Sequence, residues 1–419
     1  MLVIKNGRYI NPATGHDEIT DIYIERDRIK LIGKDIHVPG ADLIDAQGMV
    51  VAPGFVDVHA HFRDPGQTDK EDILSGSLAA IKGGYTSVVL MANTNPPVDS
   101  VNILRDILCR AKKSAINIYS CAKVTAGNEA KEITDMEALS TAGAVGFSDD
   151  GEAIIDEELL IKAMKAAKEL GKPICLHEED PRYIDNPGIN EGHASARLLI
   201  KGASRNAEIT MIRRDLELSA KIGATTVFQH LSTKEGVELI REMKKSCPSI
   251  YAEVTPHHFS LTEEAIIKKQ ADAKMNPPLR IEEDRLALIE GLKDGTIDFI
   301  ATDHAPHRAD EKNADLIKAP SGIIGLETAL SLGIKELVNP GHLSLSELIF
   351  KMSTAPAKLY NLPAGDIGPG QMADIVIFAP DETWEVKEFA SKSANSPFLG
   401  ETLPGVVHYT LCKGVICGK

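Results

Sequence analysis

The chain has 419 residues, with 46 basic and 61 acidic side chains and a formal net charge of −15. This length can bury the core of one large α/β domain together with a smaller companion. The sequence is acidic overall and lacks the stripe of basic residues that binding to a phosphate backbone requires. Nucleic acid is therefore excluded as the expected partner.

Cysteine usage and hydropathy predict a cytoplasmic protein. The six cysteines form no C-x-x-C pair and are too sparse for a disulfide scaffold, which favours a reducing compartment. No run approaches the roughly 18 apolar residues of a membrane span, and the first residues lack the pattern of a signal peptide. We therefore expect no membrane partner.

Both ends of the chain predict short β-strands separated by turn residues. Apolar and charged residues alternate in "DIYIERDRIKLIG" near the start, and "GQMADIVIFAP" and "VVHYTLCKGVIC" follow the same pattern near the end. Neither end is large enough to form a core alone. We therefore expect residues 1–50 and 366–419 to form one composite β-sandwich domain.

Between these ends, eight apolar β-rich runs alternate with helical stretches such as 157–171 and 208–223, the second ending in a glycine suited to a C-cap. The predicted strands are 50–61, 86–94, 117–125, 144–151, 173–180, 225–231, 250–258 and 298–306. Eight βα units predict a (β/α)₈ TIM barrel as the catalytic domain, residues 51–365. An open doubly wound sheet is the alternative, but no G-x-G-x-x-G follows the first strand.

Metal-capable side chains lie near the carboxyl ends of five of these strands: His59, His61, Asp150, His177, His230 and Asp303. Each histidine alone would more often be a hydrogen-bonded structural residue than a ligand. In a barrel, however, these strand ends meet at one mouth, where active sites of this fold lie. Imidazoles and carboxylates together suit zinc or a similar divalent ion.

In the stretch "VDVHAHFR" the residues Asp57, His59, His61 and Arg63 alternate, so a regular strand would place them on one face. Arg63 can form a paired contact with a substrate carboxylate, although an exposed loop arginine is the simpler interpretation without its neighbours. Two roles remain open for Asp57: it would either orient a metal ligand or hold the strand in place.

The ordered motifs "DVHAHFRDPG", "FSDDG", "CLHEED", "FQHLS" and "ATDHAPH" resemble the amidohydrolase superfamily. Within it, "HFRDPGQTDKED", "MANTNPP", "KMNPPLR" and "SGIIGLET" resemble the longer bacterial class of dihydroorotases. This resemblance covers nearly the whole chain. It implies reversible cyclisation of N-carbamoyl-L-aspartate to L-dihydroorotate plus water, in de novo pyrimidine biosynthesis.

The resemblance also implies metal roles. His59, His61 and Asp303 would bind the more buried ion, and His177 and His230 a second one. Asp150 stands where many relatives carry a carboxylated lysine that bridges two ions, so one-zinc and two-zinc forms both remain open. Asp303 would take a proton from the attacking water and pass it to the departing ring nitrogen.

Substrate contacts follow from the same resemblance. Besides Arg63, the residues expected to contact the substrate are Asn93, Asn276, His307, Pro320 and Gly322. The charged segment 307–322 predicts either a lid over the mouth or a solvated loop.

Two alternative functions remain open. A hydantoinase, dihydropyrimidinase or allantoinase would share the fold and metals but not a carboxylate on the substrate. A non-catalytic dihydroorotase-like scaffold for aspartate transcarbamoylase would belong to a different class, although all six ligand positions are filled here. The resemblance leaves both a homodimer and a complex with aspartate transcarbamoylase open.

Overall fold

The computed structural model describes residues 1–127 and 131–418. The model contains a β-sheet built from both termini and a barrel of parallel strands. Its strands, numbered along the chain, are β1 (Leu2–Asn11), β2 (His16–Glu25), β3 (Arg28–Gly33), β4 (Asp42–Asp45), β5 (Val50–Pro53), β6 (Phe55–Ala60), β7 (Tyr85–Leu90), β8 (Asn117–Ser120), β9 (Phe147–Ser148), β10 (Ile174–Leu176), β11 (Thr226–Phe228), β12 (Ile250–Val254), β13 (Phe299–Ile300), β14 (Ile375–Glu385), β15 (Thr402–Cys412) and β16 (Val415–Gly418).

Strands from both termini form one eight-stranded sheet. Its order is β16-β15-β14-β5-β1-β2-β3, and β4 pairs with the first half of β1. β5 joins the two ends of the chain, because it pairs antiparallel with β14 and parallel with β1. Buried side chains from both termini, such as Ile4, Ile22, Ile377 and Leu411, share one apolar cluster. The prediction of a single β-domain built from both termini is confirmed.

The eight strands β6 to β13 close into a barrel. β6-β7-β8 and β13-β12-β11-β10-β9 are parallel sheets, and two parallel bridges join them, Ala122 with Phe147 and Ala60 with His304. Side chains from strands on different sides of the ring, among them Val56, Cys175 and Phe299, pack in one buried cluster. The closed ring confirms the TIM-barrel prediction and excludes the open sheet.

Helices surround the barrel and bury one face against it. They are α1 (Ile73–Lys82), α2 (Val101–Ala111), α3 (Met136–Ala142), α4 (Glu157–Glu169), α5 (His193–Leu198), α6 (Asn206–Ile222), α7 (Lys234–Lys244), α8 (Pro256–Ser260), α9 (Glu264–Lys269), α10 (Glu282–Asp294), α11 (Ala309–Lys312), α12 (Ala329–Gly333), α13 (Leu345–Ile349) and α14 (Ala355–Leu359), with 3₁₀ turns at Pro181–Tyr183 and Gln270–Ala273 and π-helical turns at Ile334–Val338 and Phe350–Thr354. Both predicted helices are present as α4 and α6. Gly223 ends α6 at φ +72°, as its predicted C-cap role requires.

The predicted strands are longer than the observed ones: the run 50–61 is divided into β5 and β6, and one predicted strand runs into a helix. The run 250–258 pairs only up to Val254, and Pro256–Ser260 is the helix α8. The Thr255 side chain accepts a hydrogen bond from the His258 backbone N–H, and Pro256 occupies the first helical position. Both are helix-start signals, so the strand prediction was wrong over these residues.

The segment between β14 and β15 contacts the barrel mouth. The Asn395 amide donates to the carbonyl oxygens of Ala305 and Gly322, and its oxygen accepts from the His307 backbone N–H.

The exact boundary between the barrel domain, residues 51–365, and the terminal domain stays a prediction. In the described residues, no helix is long and apolar enough to cross a bilayer.

Candidate active site

The carboxyl ends of the barrel strands bring all six predicted metal ligands together. His59 and His61 lie at the end of β6, and the others follow their strands closely: Asp150 after β9, His177 after β10, His230 after β11 and Asp303 after β13. His61 Nε2 lies 2.9 Å from Asp303 Oδ1, and His177 Nδ1 lies 2.9 Å from His230 Nε2. All six side chains are buried.

Their ligand atoms fall into three overlapping groups whose members lie within 4.8 Å of one another: His59, His61 and Asp150; His59, His230 and Asp303; and Asp150, His177 and His230. Asp150 belongs to a group with the β6 histidines and to a group with His177 and His230. A carboxylate has two oxygens, so this placement suits one that is shared between two neighbouring ions.

A buried nitrogen supports the fit of a cation. His59 Nε2 has no hydrogen-bond partner among the described residues, yet it lies 3.2 Å from Asp150 Oδ1 and 3.5 Å from Asp303 Oδ1. Buried polar atoms are normally paired, and imidazole nitrogen with carboxylate oxygen is a zinc-type donor set. The residues present therefore fit a divalent metal.

Two glutamates hold the rings of these histidines. Glu253 Oε1 lies 2.5 Å from His59 Nδ1, and Glu179 Oε2 lies 2.9 Å from His177 Nε2. Carboxylates in this position fix the tautomer and orientation of ligating histidines. The sequence reasoning missed both. The position of Glu179, two residues after the candidate ligand His177, could have indicated its role. No sequence motif marks Glu253, which lies within β12.

Electrostatics make the cluster receptive to positive charge. Burial raises the pKa of Asp150, but the charge of His59 and hydrogen bonds from His177 and His230 outweigh it and hold the pKa well below its usual value. Burial also lowers the pKa of His177, but Asp150 and Glu179 raise it to about 10. A metal must displace these protons, so its binding depends on pH.

Backbone strain is concentrated at the same place. His230, Asp303 and Arg63 have φ values of +33°, +46° and +55°. Such left-handed conformations cost of order 1–3 kcal/mol for ordinary residues and persist where the surrounding structure enforces them. The fold therefore fixes the directions of two candidate metal ligands and one substrate-binding candidate.

Asp57 does not join the metal-capable cluster. Its carboxylate accepts from the backbone N–H groups of His59, at 3.2 Å, and of Thr302, at 3.0 Å. The pairing of β6 with β7 shifts register between Asp57 and Ala60, which interrupts the strict alternation used to predict a common face. Asp57 thus holds β6 to the segment after β13.

A cavity of about 190 Å³ opens beside the metal-capable cluster. Five of the predicted substrate residues line it: Arg63, Asn93, Asn276, His307 and Gly322. Pro320 is not among the lining residues; its carbonyl accepts from Lys312 Nζ, 3.0 Å away. Ser321, which the sequence reasoning missed, lines the cavity instead.

Arg63 and His307 stand side by side on the cavity wall. Arg63 Nε donates to the Pro306 carbonyl at 3.2 Å, and Arg63 Nη2 lies 3.3 Å from His307 Nε2. Among the described residues, no carboxylate forms an ion pair with this guanidinium. This part of the wall therefore offers a positive charge and hydrogen-bond donors to a ligand.

Full-length relatives and a family model identify the chain's relationships. The amidohydrolase family model matches residues 50–417. The chain is 52% identical to a dihydroorotase of Clostridioides difficile over 417 residues, and 48% identical to one of Clostridium acetobutylicum over 419 residues, covering 99% of each chain in both cases. The chain belongs to the amidohydrolase family, among its dihydroorotases. The solved L-hydantoinase (dihydropyrimidinase) of Arthrobacter aurescens is similar at 25% identity and a TM-score of 0.90, over 100% of this chain and 96% of that one.

The amidohydrolase family is metal-dependent, and the described residues of this chain include candidate histidine and aspartate ligands. Asn93 illustrates how closely the metal-capable cluster and the cavity are joined. Its amide nitrogen donates to Asp150 Oδ2 at 3.0 Å, and its oxygen lies 2.9 Å from His61 Nδ1. Asn93 thus contacts two candidate metal ligands as well as lining the cavity.

Buried lysines anchor the segment 307–322 over this cavity. Lys274 Nζ donates to the carbonyls of Leu316, Ile317 and Ala319, and Lys312 Nζ donates to those of Pro320 and Gly322. Within the segment, α11 contributes one helical turn. The freely solvated loop predicted as one alternative does not fit these bonds, whereas movement as a lid stays a prediction.

Proposed function

We infer that the chain catalyses the dihydroorotase reaction: the reversible cyclisation of N-carbamoyl-L-aspartate to L-dihydroorotate plus water, in de novo pyrimidine biosynthesis. The sequence support is identity of about half to curated dihydroorotases over both full lengths. The observation that carries the choice of substrate is the Arg63 guanidinium, which lines the metal-side cavity without an ion-pair partner among the described residues.

This guanidinium distinguishes the candidate reactions. Dihydroorotate carries a carboxylate that hydantoins and dihydrouracil lack. Arginine binds carboxylates in a bidentate, charge-assisted manner, and Arg63, which is half-buried, has room for such a partner at the cavity wall. Arg63, with His307 beside it, therefore favours dihydroorotate over the neutral cyclic amides.

The metal we propose is zinc, in a two-ion site. His59, His61 and Asp303 would hold one ion, His177 and His230 would hold the other, and Asp150 would be shared. The three overlapping ligand groups and the unpartnered His59 Nε2 support this assignment. When bound, a divalent ion polarises the amide carbonyl and lowers the pKa of bound water.

Asp303 is the proposed proton carrier. Its carboxylate is buried at the cavity wall, and His61 Nε2 lies 2.9 Å from one of its oxygens. Burial raises the pKa of Asp303, but His59 and His61 outweigh this effect and lower it, so the side chain is ionised and can accept a proton. In ring opening it takes the proton of the attacking water and delivers it to the ring nitrogen, and in ring closure the transfers run in reverse.

The test is an assay of the purified, zinc-loaded chain with dihydroorotate, carbamoyl aspartate and dihydrouracil. We expect interconversion of the first two compounds and little turnover of the third. Chelation should abolish activity and zinc should restore it. Efficient dihydrouracil hydrolysis without dihydroorotate turnover would support the hydantoinase alternative. A chain that binds no zinc and remains inactive after its addition would support the scaffold alternative.

A homodimer, a complex with aspartate transcarbamoylase and a cytoplasmic location stay predictions. Light scattering of the chain alone, and then mixed with a transcarbamoylase, measures the first two directly.

A further inference from the structure

We infer that His258 is a positioning residue for substrate binding: its imidazole holds the Pro277 carbonyl and thereby sets the place of Asn276 on the cavity wall. This inference rests on the proposed function, because it assigns how the cavity orients the substrate ring. His258 is buried on α8, behind the wall, and is not among the residues that line the cavity.

Asn276 presents an unused hydrogen-bonding group to the cavity. Its side chain lines the cavity, and its amide oxygen is buried without a hydrogen-bond partner among the described residues. Buried polar atoms are normally paired, so this oxygen is suited to an N–H donor on a ligand. The ring of dihydroorotate and the carbamoyl group of carbamoyl aspartate both carry such donors. A fixed amide at this place would therefore orient either compound.

The short loop that carries Asn276 is held on two sides. On one side, the Lys274 carbonyl accepts from the Gly322 backbone N–H at 2.9 Å, which ties the loop to another part of the wall. On the other side, the Pro277 carbonyl lies 2.9 Å from His258 Nε2. Pro277 directly follows Asn276, and proline has a fixed φ angle, so holding its carbonyl also restricts the Asn276 backbone. His258 thus links this loop to α8.

The contacts of His258 agree on one tautomer. The Pro277 carbonyl can only accept, and no other hydrogen bond reaches Nε2 among the residues that the structure describes, so Nε2 carries the proton. Nδ1 lies 2.7 Å from Thr255 Oγ1, and this hydroxyl accepts from the His258 backbone N–H, which leaves its own proton for Nδ1. Burial lowers the pKa of His258 to about 4, so the ring is neutral and its single N–H is the one bonded to Pro277.

A matched pair of variants separates this hydrogen bond from simple packing. A glutamine amide reaches about as far as Nε2 and can still donate to Pro277, whereas an asparagine amide reaches only as far as Nδ1. We expect His258→Asn to raise KM for dihydroorotate by about fivefold, with kcat within about twofold of wild type, and His258→Gln to restore most of the loss. Pro256→Ala is the control for a weakened α8, because it should lower Tm but leave KM within about twofold.

A double-mutant cycle tests the route through Asn276. Asn276→Ala removes the amide and should raise KM by about tenfold. If His258 acts by holding this amide, adding His258→Asn to Asn276→Ala should raise KM by less than about twofold more. Increases in KM that multiply would overturn the inference. Loss of zinc from His258→Asn, measured by mass spectrometry, would also overturn it, because the residue would then support the metal-capable cluster instead.

Nitrogen NMR of ¹⁵N-histidine-labelled protein tests the hydrogen bond without turnover. The His258 signals are those lost in His258→Asn or His258→Gln, so one folded variant is enough to assign them. We expect a neutral ring with a protonated Nε2 in the wild-type protein at pH 7. A proton on Nδ1, or a charged ring, would overturn the inference even if His258→Asn does not fold.

The kinetic results also decide between positioning and packing. An unchanged KM in His258→Asn would overturn the inference. Equal KM increases in His258→Asn and His258→Gln would overturn it too, since a donor at Nε2 would then have no effect. A wild-type chain that does not interconvert dihydroorotate and carbamoyl aspartate would instead overturn the proposed function. In that case the NMR result would still decide whether His258 holds the Pro277 carbonyl.

Discussion

Two groups of residues meet at one cavity but are built differently. The metal-facing wall consists of His61, Asp150, His177, His230 and Asp303, with the fully buried His59 beside them, and the carboxylate-facing wall consists of Arg63, His307, Ser321 and Gly322. Each metal-facing residue lies in a barrel strand or within three residues of its end. The carboxylate-facing residues lie in loops and are positioned by contacts with Pro306, Lys70 and Asn395. Under the proposed function, the barrel strands therefore position the residues that carry the reaction, whereas the loops position those that recognise the substrate.

The largest effect is expected on the metal-facing wall, at Asp303. Asp303→Asn keeps the shape of the side chain but removes the carboxylate that we propose moves the proton. We expect kcat to fall by about a thousandfold, within the usual range for a lost general base. Ultraviolet absorbance gives the rate in both directions, and mass spectrometry of the metal content separates lost catalysis from lost metal. A kcat within tenfold of wild type would refute the proton-carrier role.

On the carboxylate-facing wall, Arg63→Met should lower kcat/KM for dihydroorotate by about a hundredfold, chiefly through KM. We propose that the guanidinium binds the unreacting carboxylate, so the loss should be mainly one of binding. Arg241→Met is the matched control, because Arg241 lies on α7 and pairs at the surface with Asp294. A fall in kcat with unchanged KM would instead place Arg63 in the reaction step, and the division between the two walls would fail.

Behind the metal-facing wall, Glu253→Gln should weaken zinc binding by about 10- to 100-fold. The amide cannot hold the His59 Nδ1 proton with the strength of a carboxylate 2.5 Å away. Competition with a chromophoric chelator measures the affinity without relying on turnover. The exposed Glu238 on α7 provides the control substitution, Glu238→Gln. Equal affinities for both variants would show that Glu253 has only a structural role.

The two walls also differ in how far the sequence predicts them. Strand positions follow from local apolar patterns, and the candidate ligands stand at the strand ends. The eight barrel strands and the gathering of these six side chains were therefore predictable, whereas the strand lengths were not. Contacts between distant segments were not: His59 and Glu253 lie 194 positions apart, and Lys70 and His307 lie 237 apart. No periodicity links such pairs. The irregular register at Asp57 also escaped prediction, because alternation assumes a regular strand.

The smallest effect is expected at Gly322, and it tests whether the carboxylate-facing wall depends on loop geometry. A Cβ there would lie 2.7 Å from both the Ala305 carbonyl oxygen and His307 Cδ2, at a φ of +150°. Gly322→Ala must therefore displace His307 or the loop, and we expect KM for dihydroorotate to rise by about fivefold with little change in kcat.

Gly295→Ala is the control for this prediction. Gly295 also has a positive φ, +82°, but a Cβ there meets nothing within 4 Å. It should cost stability of order 1 kcal/mol, visible as a lower Tm, and leave KM unchanged. If both variants lower Tm but neither alters KM, the position of His307 does not depend on Gly322, and this wall tolerates more movement than its contacts indicate.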